Sequence, residues 1–406
     1  MSDYDVIIVG ARCAGAAAAM LLARRNRRVL LIDRDDFPSD MVASTHFIWS
    51  SGAARLQKWG LLEDLQATNC PGRSSFLLDI GIAQLVGHAP TRDTGFDSCY
   101  APRRIVLDDL LVQNAHKAGV ELQQNSSVQE LLFADNRVVG VQFRNAKGDS
   151  VQAMAPIVIG ADGMNSTVAK LVKAEKYNEY PVLQHTFYSY FSGLELSHTE
   201  FYSRPGRQVF AWTSNDGVVV AGVCCRADEC QELKRDIDNE FWKEMDVHAP
   251  LLSEQLKQGE RVEPWRTASA KNFVRRAGGP GWALIGDAGI TMDPITAAGI
   301  SNAFLQADLI ADAVDEGLAL DSLDTEIEKF QQQRDQALLP HYEFTVGMAR
   351  LDPEPPEEMM QMLMSLPGRQ EDIDAYLGVF AMTVPVGEFF APDNMQRIIE
   401  RGPASP

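Results

Sequence analysis

Basic residues are scarce in this sequence. Lys and Arg number 37 against 56 Asp and Glu, a formal net charge of −19 over 406 residues. An acidic surface repels polyphosphate chains and anionic bilayers. That excludes nucleic acid or an anionic membrane as the main partner, but not a local basic site for a phosphorylated cofactor. Cysteines are few, six in all, with no C-x-x-C pair and no close His/Cys cluster. They are too sparse for a disulfide framework and offer no zinc site. Long apolar runs are also missing: the most apolar early stretch, residues 14–23, has ten residues, about half of what a bilayer span needs. The chain opens MSDYDVIIVG, with acids where a signal peptide carries a basic segment. These absences predict a cytoplasmic protein with reduced thiols and no membrane span. No pattern resembles a hydrolytic triad, which fits an enzyme whose cofactor does the chemistry. Composition is otherwise ordinary, 45% hydrophobic and 23% charged, and the length predicts two or three domains with a sizeable core.

What is present begins at once. Residues 4–9 (YDVIIV) are an apolar, β-branched run bounded by polar residues, the pattern of a buried parallel strand. Residues 10–15 (GARCAG) follow, then residues 16–25, rich in alanine and leucine and strongly helix-forming. Residues 28–32 (RVLLI) predict a second strand, ending on Asp33. Strand, glycine turn, helix, strand and terminal acid make the dinucleotide-binding layout. Gly10 permits the tight turn and Gly15, after Ala14, lets the helix pack close to the sheet. The helix N-terminus aims backbone N–H groups and its dipole at a pyrophosphate. Asp33, with Arg34 beside it, is placed to meet the adenosine ribose. Arg12 stands where the pattern has its second glycine. It leaves less room for the pyrophosphate, and its guanidinium offers a contact to it.

Two later segments repeat the theme of an apolar strand ending in a small acidic loop. Residues 156–159 (PIVI) lead into residues 160–166 (GADGMNS), and residues 282–285 (WALI) into Gly286-Asp287-Ala288-Gly289. Asp293-Pro294 and Gly299 come next, before a predicted helix over residues 300–314. Loops at strand carboxyl ends are where α/β sheets bind ligands.

Taken in order, the glycine motif, Asp162-Gly163 and Gly286-Asp287 resemble the flavin-binding signatures of the FAD-dependent monooxygenase superfamily of the p-hydroxybenzoate hydroxylase type. That fold also includes flavin halogenases and geranylgeranyl reductases. The resemblance covers roughly residues 4–340. It implies an α/β fold: a Rossmann-like FAD-binding domain of the glutathione-reductase type, an inserted mixed β-sheet substrate domain and a helical C-terminal tail. Residues 1–74, 100–177 and 271–340 would form the first, 75–99 and 178–270 the second, and 341–406 the third. It further implies that Asp287, following Gly286, bonds the ribityl or pyrophosphate region of FAD. Pro294, Ala298 and Gly299 would shape the loop beside the isoalloxazine. The helix from Gly299 and Ile300 would direct its positive N-terminus at the flavin edge that becomes negative on reduction. Asp162 would serve the pyrophosphate side and NAD(P)H use, although Ala169 stands where this motif usually ends in arginine. Arg104 matches a family arginine that contacts FAD. The segment with Thr45 and His46 passes near the flavin ring in this fold. There His46 would bond the flavin or handle a proton, its ordinary pKa lying near neutral, unless it is a structural loop histidine.

The β-rich middle supplies the remaining expectations. Residues 138–143 and 151–154 flank a hairpin turn at residues 145–149, and Asn215-Asp216-Gly217 joins strands at 208–213 and 218–225. Residues 182–191 predict another strand, and residues 48–65 and 229–247 read as helices. Phe187, Tyr188, Tyr190, Phe210 and Trp212 are either pocket or sheet core, and alternation lets only one set face the flavin. Cys224 and Cys225, being adjacent, face opposite ways. The methionine-rich residues 359–364 either cap the pocket, pack on a partner chain or pack locally, and residues 402–406 are predicted to be disordered. The expected activity is that of an NAD(P)H-consuming monooxygenase. It would use FAD and O2 to hydroxylate an aromatic or polycyclic small molecule through a flavin C4a-hydroperoxide. The alternatives are a reductase of the geranylgeranyl type and a halogenase. Halogenases carry a W-x-W-x-I-P motif and an essential early lysine, whereas here Trp212 stands alone in its segment and no lysine falls between Lys58 and Lys117.

Overall fold

A computed structural model describes residues 2–354 and 356–404. Its central sheet has six strands, ordered Gly278–Gly279, Trp282–Leu284, Val158–Gly160, Val6–Val9, Val29–Ile32 and Glu121–Gln123. All neighbours run parallel except the terminal hairpin of the first two. Every residue of Val6–Val9 and Val29–Ile32 is buried, as expected of parallel strands covered on both faces. Val6, Ile8, Val29 and Leu31 pack against the helices Cys13–Ala23 and Gly299–Ala319. Ile7, Val9, Leu30 and Ile32 pack on an antiparallel meander of Ser127–Ala134, Arg137–Arg144 and Ser150–Met154. Each such side chain removed from water contributes about 1.5–3 kcal/mol.

A second, eight-stranded sheet is mostly antiparallel. Gln184–Ser192, Val219–Arg226, Arg207–Thr213 and Thr199–Arg204 form its middle. Phe76–Asp79 joins Thr199–Arg204 in parallel and carries Gln84–Gly87 at the edge. Register decides the aromatic question. Tyr188 pairs across Gly222 with Phe210, and Tyr190 across Val220 with Trp212. These four rings share one face with Ile295, Ala298 and the C-terminal helices. Phe187 packs on the reverse face beside Cys225 and Cys230, whereas Cys224 joins the first set. All six cysteines are buried free thiols.

Several boundaries differ from the sequence expectation. The helix expected over residues 48–65 is two, Ser50–Lys58 and Leu62–Gln66. Gly60, at φ 70°, ends the first in the left-handed conformation that glycine accepts readily. The helix expected over 229–247 breaks at Asp236, which caps Ile237–His248 by accepting a bond from Asn239 N–H. The helix Leu323–Ala349 runs straight through residue 341, the expected start of the tail. Beyond it lie Glu357–Ser365, Gln370–Phe380, Val386–Phe389 and Pro392–Arg401. Met362 is buried in the same core as the four aromatic rings, and Leu363 of the same helix lines a cavity there, so the methionine-rich helix both packs locally and covers that cavity. Of the expected disordered end, Ala404 N–H is bonded to Pro367 O at 2.9 Å; residues 405 and 406 lie outside the described residues. Among the described residues no helix is long and apolar enough to cross a membrane.

Candidate functional site

The strands Val6–Val9, Val158–Gly160 and Trp282–Leu284 are adjacent and parallel, so the loops after them emerge at one edge. Small residues let these loops touch. Gly10 has φ 102°, and a Cβ there would lie 2.4 Å from Ala161 O. A Cβ on Gly15 would lie 1.8 Å from Gly10 O, and one on Gly286 2.9 Å from Ala14 Cβ. The three motifs separated in sequence thus close into one surface.

That surface fits a dinucleotide. The helices Cys13–Ala23 and Gly299–Ala319 both begin without a side-chain cap and without an acid in the first turn, leaving N–H donors and a positive dipole end for an anion. Gly299 is exposed between buried Ala298 and Ile300, with open space where a side chain would stand. The preceding Ala297 is held at φ 54°, a left-handed conformation costly to alanine and kept where a loop shape is enforced. Asp287 keeps solvent contact although the loops crowd it. Burial pushes its carboxyl up to about 6, against the pull of the Arg104 guanidinium. Among the described residues no donor engages that carboxylate, which leaves it for cofactor hydroxyls.

Three expected cofactor contacts are otherwise engaged, and a fourth is engaged in part. Arg12 does not stand free for a pyrophosphate: its guanidinium pairs with Asp108 at 2.7 Å and Asp35 at 3.0 Å, and donates to Ser39 Oγ at 3.1 Å. Arg104 is clamped by Asp108 through Nε and Nη2, both at 3.0 Å. Fully buried Asp108 also accepts from Cys13 Sγ at 3.3 Å. Two guanidiniums here face two carboxylates, Asp108 and Asp35, so little surplus charge is left. Asp33 spends its carboxylate on Ala11 N–H at 2.5 Å and Asp35 N–H at 2.9 Å, stapling the second strand to the glycine turn. Arg34 extends into solvent, its side chain 80% exposed. Asp162 accepts through Oδ2 from Thr167 N–H at 2.6 Å, at the start of the short helix Thr167–Leu171 that Ser166 caps, while its Oδ1 is buried without a partner. Arg12 and Asp33 are taken up by the loops' own architecture, Asp33 because the glycine turn needs its backbone N–H groups satisfied, whereas Asp162 keeps one oxygen without a partner.

His46 is 1% exposed, sits at φ 68° and shares a short hydrogen bond between its Nε2 and the Tyr190 hydroxyl. The Tyr190 ring lies between two guanidiniums, Arg103 at 4.8 Å and Arg266 at 5.3 Å from its centroid. Glu263 ties these together, at 2.7 Å from Arg103 and 3.2 Å from Arg266, and Asp40 holds Arg266 at 3.2 Å. Burial, then Arg104, Arg103 and Arg266, drive the His46 pKa well below its ordinary value. The expectation of a near-neutral titration therefore fails: the imidazole is uncharged at pH 7 and acts only as a neutral donor or acceptor. Thr45, next to it, fixes the Trp212 indole, whose Nε1 donates to Thr45 O at 3.0 Å.

Asp293, 1% exposed, accepts from Gln184 Nε2 at 2.6 Å and Ile295 N–H at 3.0 Å, which starts the turn Pro294–Thr296. Its Oδ2 is buried without a partner, and burial pushes the carboxyl up to about 7. A carboxyl raised above its unfolded value gives stability below that value, near pH 4, and loses it as pH rises through 7. Asp293→Asn keeps the acceptor without the charge. In the FAD-free protein its stability relative to the native chain should rise between pH 5 and pH 8 by roughly 2–4 kcal/mol. Urea unfolding at the two pH values checks this, and a pH-independent difference would refute it.

Two neighbouring cavities lie against the aromatic face, the second also against the C-terminal helices. The inner is lined by Thr45, Phe210, Trp212, Cys224, Pro294 and Ile295, the outer by Trp49, Met348, Leu363, Tyr376 and Phe380 among others. Phe201 and Gln208 belong to both. Among the described residues no group of three or more His, Cys, Asp or Glu side chains is placed to hold a metal ion. Reading the sequence alone passes over Asp108, Tyr190's two arginines and Gln208. The i,i+4 spacing of Arg104 and Asp108 was the one available signal.

The family model described as FAD binding domain matches residues 3–321. The digeranylgeranylglycerophospholipid reductase of Methanosarcina acetivorans is 25% identical over 342 residues, 81% of this chain and 79% of the relative. Among solved structures, the flavin-dependent brominase Bmp2 matches with a TM-score of 0.81 at 20% identity over 98% of both chains. The Pseudomonas aeruginosa protein pqsL, "a probable FAD-dependent monooxygenase", matches with a TM-score of 0.73 at 17% identity, over 86% of this chain and 96% of that one. At those identities the two structures share the fold. With a family match over residues 3–321 and three flavin motifs at one sheet edge, the chain belongs to the FAD binding domain family and is an FAD-dependent oxidoreductase.

Proposed function

We propose that this protein is an NAD(P)H-consuming, FAD-dependent monooxygenase that hydroxylates an aromatic small molecule. The observation that carries the reading is the inner cavity, where the flavin-loop residues Pro294 and Ile295 share one wall with Phe210 and Trp212. When bound, FAD supplies electron transfer from a nicotinamide and activation of O2. The chain's residues do the rest. Asp287 and the open N-terminus at Gly299 bind and orient the cofactor. Neutral His46, fixed by Tyr190, is a hydrogen-bonding partner at the loop beside the ring. The aromatic wall and the C-terminal roof keep water from the reacting centre. A second reading, reduction of a carbon–carbon double bond, draws on the reductase relative.

Purified protein assayed for its visible spectrum, and for NADPH and O2 consumption with phenolic substrates, separates these. A flavin spectrum, matched NADPH and O2 uptake and an oxygen-bearing product support the hydroxylase. NADPH oxidation with a saturated product and no O2 uptake moves the assignment to the reductase. Halide-dependent product would mark a halogenase, and protein that takes up no FAD would sink all three.

A further inference from the structure

Resting on the reading of the chain as an aromatic hydroxylase, we infer that its substrate is an uncharged, planar molecule carrying an O–H or N–H group, read by Gln208 and by Tyr376 on the C-terminal roof. The first support is the charge of the walls. None of the residues lining either cavity is Asp, Glu, Lys, Arg or His. A carboxylate or phosphate placed there would be stripped of water with no countercharge to meet it, a cost that a site of this composition does not offset. The arginines near the site are already committed, Arg103 and Arg266 to Glu263 and Arg12 and Arg104 to Asp108.

The aromatic walls are the second. Trp49, Phe201, Tyr376 and Phe380 line the outer cavity and Phe210 and Trp212 the inner, and stacking on their faces favours a planar guest.

The polar groups supply the third. Tyr376 is 5% exposed and, among the described residues, its hydroxyl makes no hydrogen bond. Burial pushes its pKa upward, so it remains a neutral donor. Gln208 is 5% exposed and lines both cavities. Its Nε2 donates to Ile295 O at 3.1 Å, fixing the amide so that Oε1 is the group left for a guest. Buried polar groups are normally partnered. A donor at the roof and an acceptor near the flavin loop call for a guest with one acceptor and one donor. Tyr376 comes from the helix Gln370–Phe380, and Leu363 from Glu357–Ser365. Both lie beyond the matched family segment, which ends at residue 321. Gln208 thus lies inside the matched segment, whereas the roof residues Tyr376 and Leu363 belong to a part of the chain that the family match does not reach.

The test is equilibrium binding to the FAD-loaded protein, followed by perturbation of the flavin spectrum and by tryptophan fluorescence. The ligands are methyl 6-hydroxy-2-naphthoate and 6-hydroxy-2-naphthoate, equal in ring and hydroxyl but differing in charge. The neutral ester should bind at least about tenfold tighter than the anion. Tyr376→Phe should weaken the ester about two- to tenfold and leave methyl 2-naphthoate, which lacks the hydroxyl, less affected. Leu363→Trp, which fills the outer cavity away from the cofactor, should abolish ester binding with FAD content unchanged. Equal or tighter binding of the anion, no binding of either ligand, or ester binding that survives Leu363→Trp would overturn the inference. Ester binding without coupled NADPH and O2 consumption would overturn the hydroxylase assignment and leave the site standing.

Discussion

Asp108→Ala is expected to destabilise the FAD-free protein by about 3–5 kcal/mol, the usual cost of leaving a buried charge without its partner. Asp108 is fully buried and serves three donors, with Arg104 gripped through two nitrogens and Arg12 through one. The two arginines are not equally exposed to the loss. Arg12 retains Asp35 at 3.0 Å and Ser39. Arg104, whose side chain is 11% exposed, loses the carboxylate that holds it. Urea unfolding of the single variant and of Asp108→Ala combined with Arg104→Met measures this. The double variant should recover a large part of the loss, because it removes the orphaned charge as well. A single-variant loss below about 1 kcal/mol would show that the guanidinium finds water and that the triad is not structural.

The second large effect falls on the cofactor. Asp287→Ala should lower FAD affinity about tenfold to a hundredfold, the range of a hydrogen bond to a charged group. The FAD-free variant should be no less stable than the native chain, since the carboxylate is engaged by no donor among the described residues and its charged form is disfavoured by its surroundings. The pH dependence has a definite sign. FAD hydroxyls donate to the ionised carboxylate, and the group protonates near 6. Affinity should therefore be flat above pH 7 and fall as pH drops through 6, whereas Asp287→Ala should show no such fall. Flavin titrations at pH 5, 6, 7 and 8 test this. An unaltered flavin content in the variant would remove Asp287 from the site.

The local signals in the sequence were strong where chemistry and backbone coincide. Strand–glycine–helix at residues 4–25 and the two strand-to-acid loops need only short-range patterning, and all three arrive at one sheet edge. The Asn215-Asp216-Gly217 turn likewise joins two antiparallel strands. What was illegible depends on partners far apart in the chain. Arg12 and Asp108 are 96 residues apart, and His46 and Tyr190 are 144 apart. No periodicity announces such pairs. Arg12 read as free because a sequence shows a charge but not its neutraliser. His46 read as a titrating group because its three surrounding arginines come from residues 103, 104 and 266. We propose that the anionic cofactor is met less by free side-chain charge than by the uncapped N-termini of two helices, Cys13–Ala23 toward the pyrophosphate and Gly299–Ala319 toward the flavin.

The order of strands in the central sheet bears on how the protein is made. Trp282–Leu284 is the parallel neighbour of Val158–Gly160, and Asp287 and Gly299 follow it. A nascent chain therefore cannot assemble its cofactor site until residue 299 has left the ribosome, roughly 15–60 s after initiation at ordinary elongation rates. Through that interval Val158–Gly160 lacks its later partner, and an unpaired strand edge is a template for wrong association. Binding energy from FAD arrives only after that edge is closed, so ample flavin during expression should raise the yield of folded protein without shortening the vulnerable interval of synthesis.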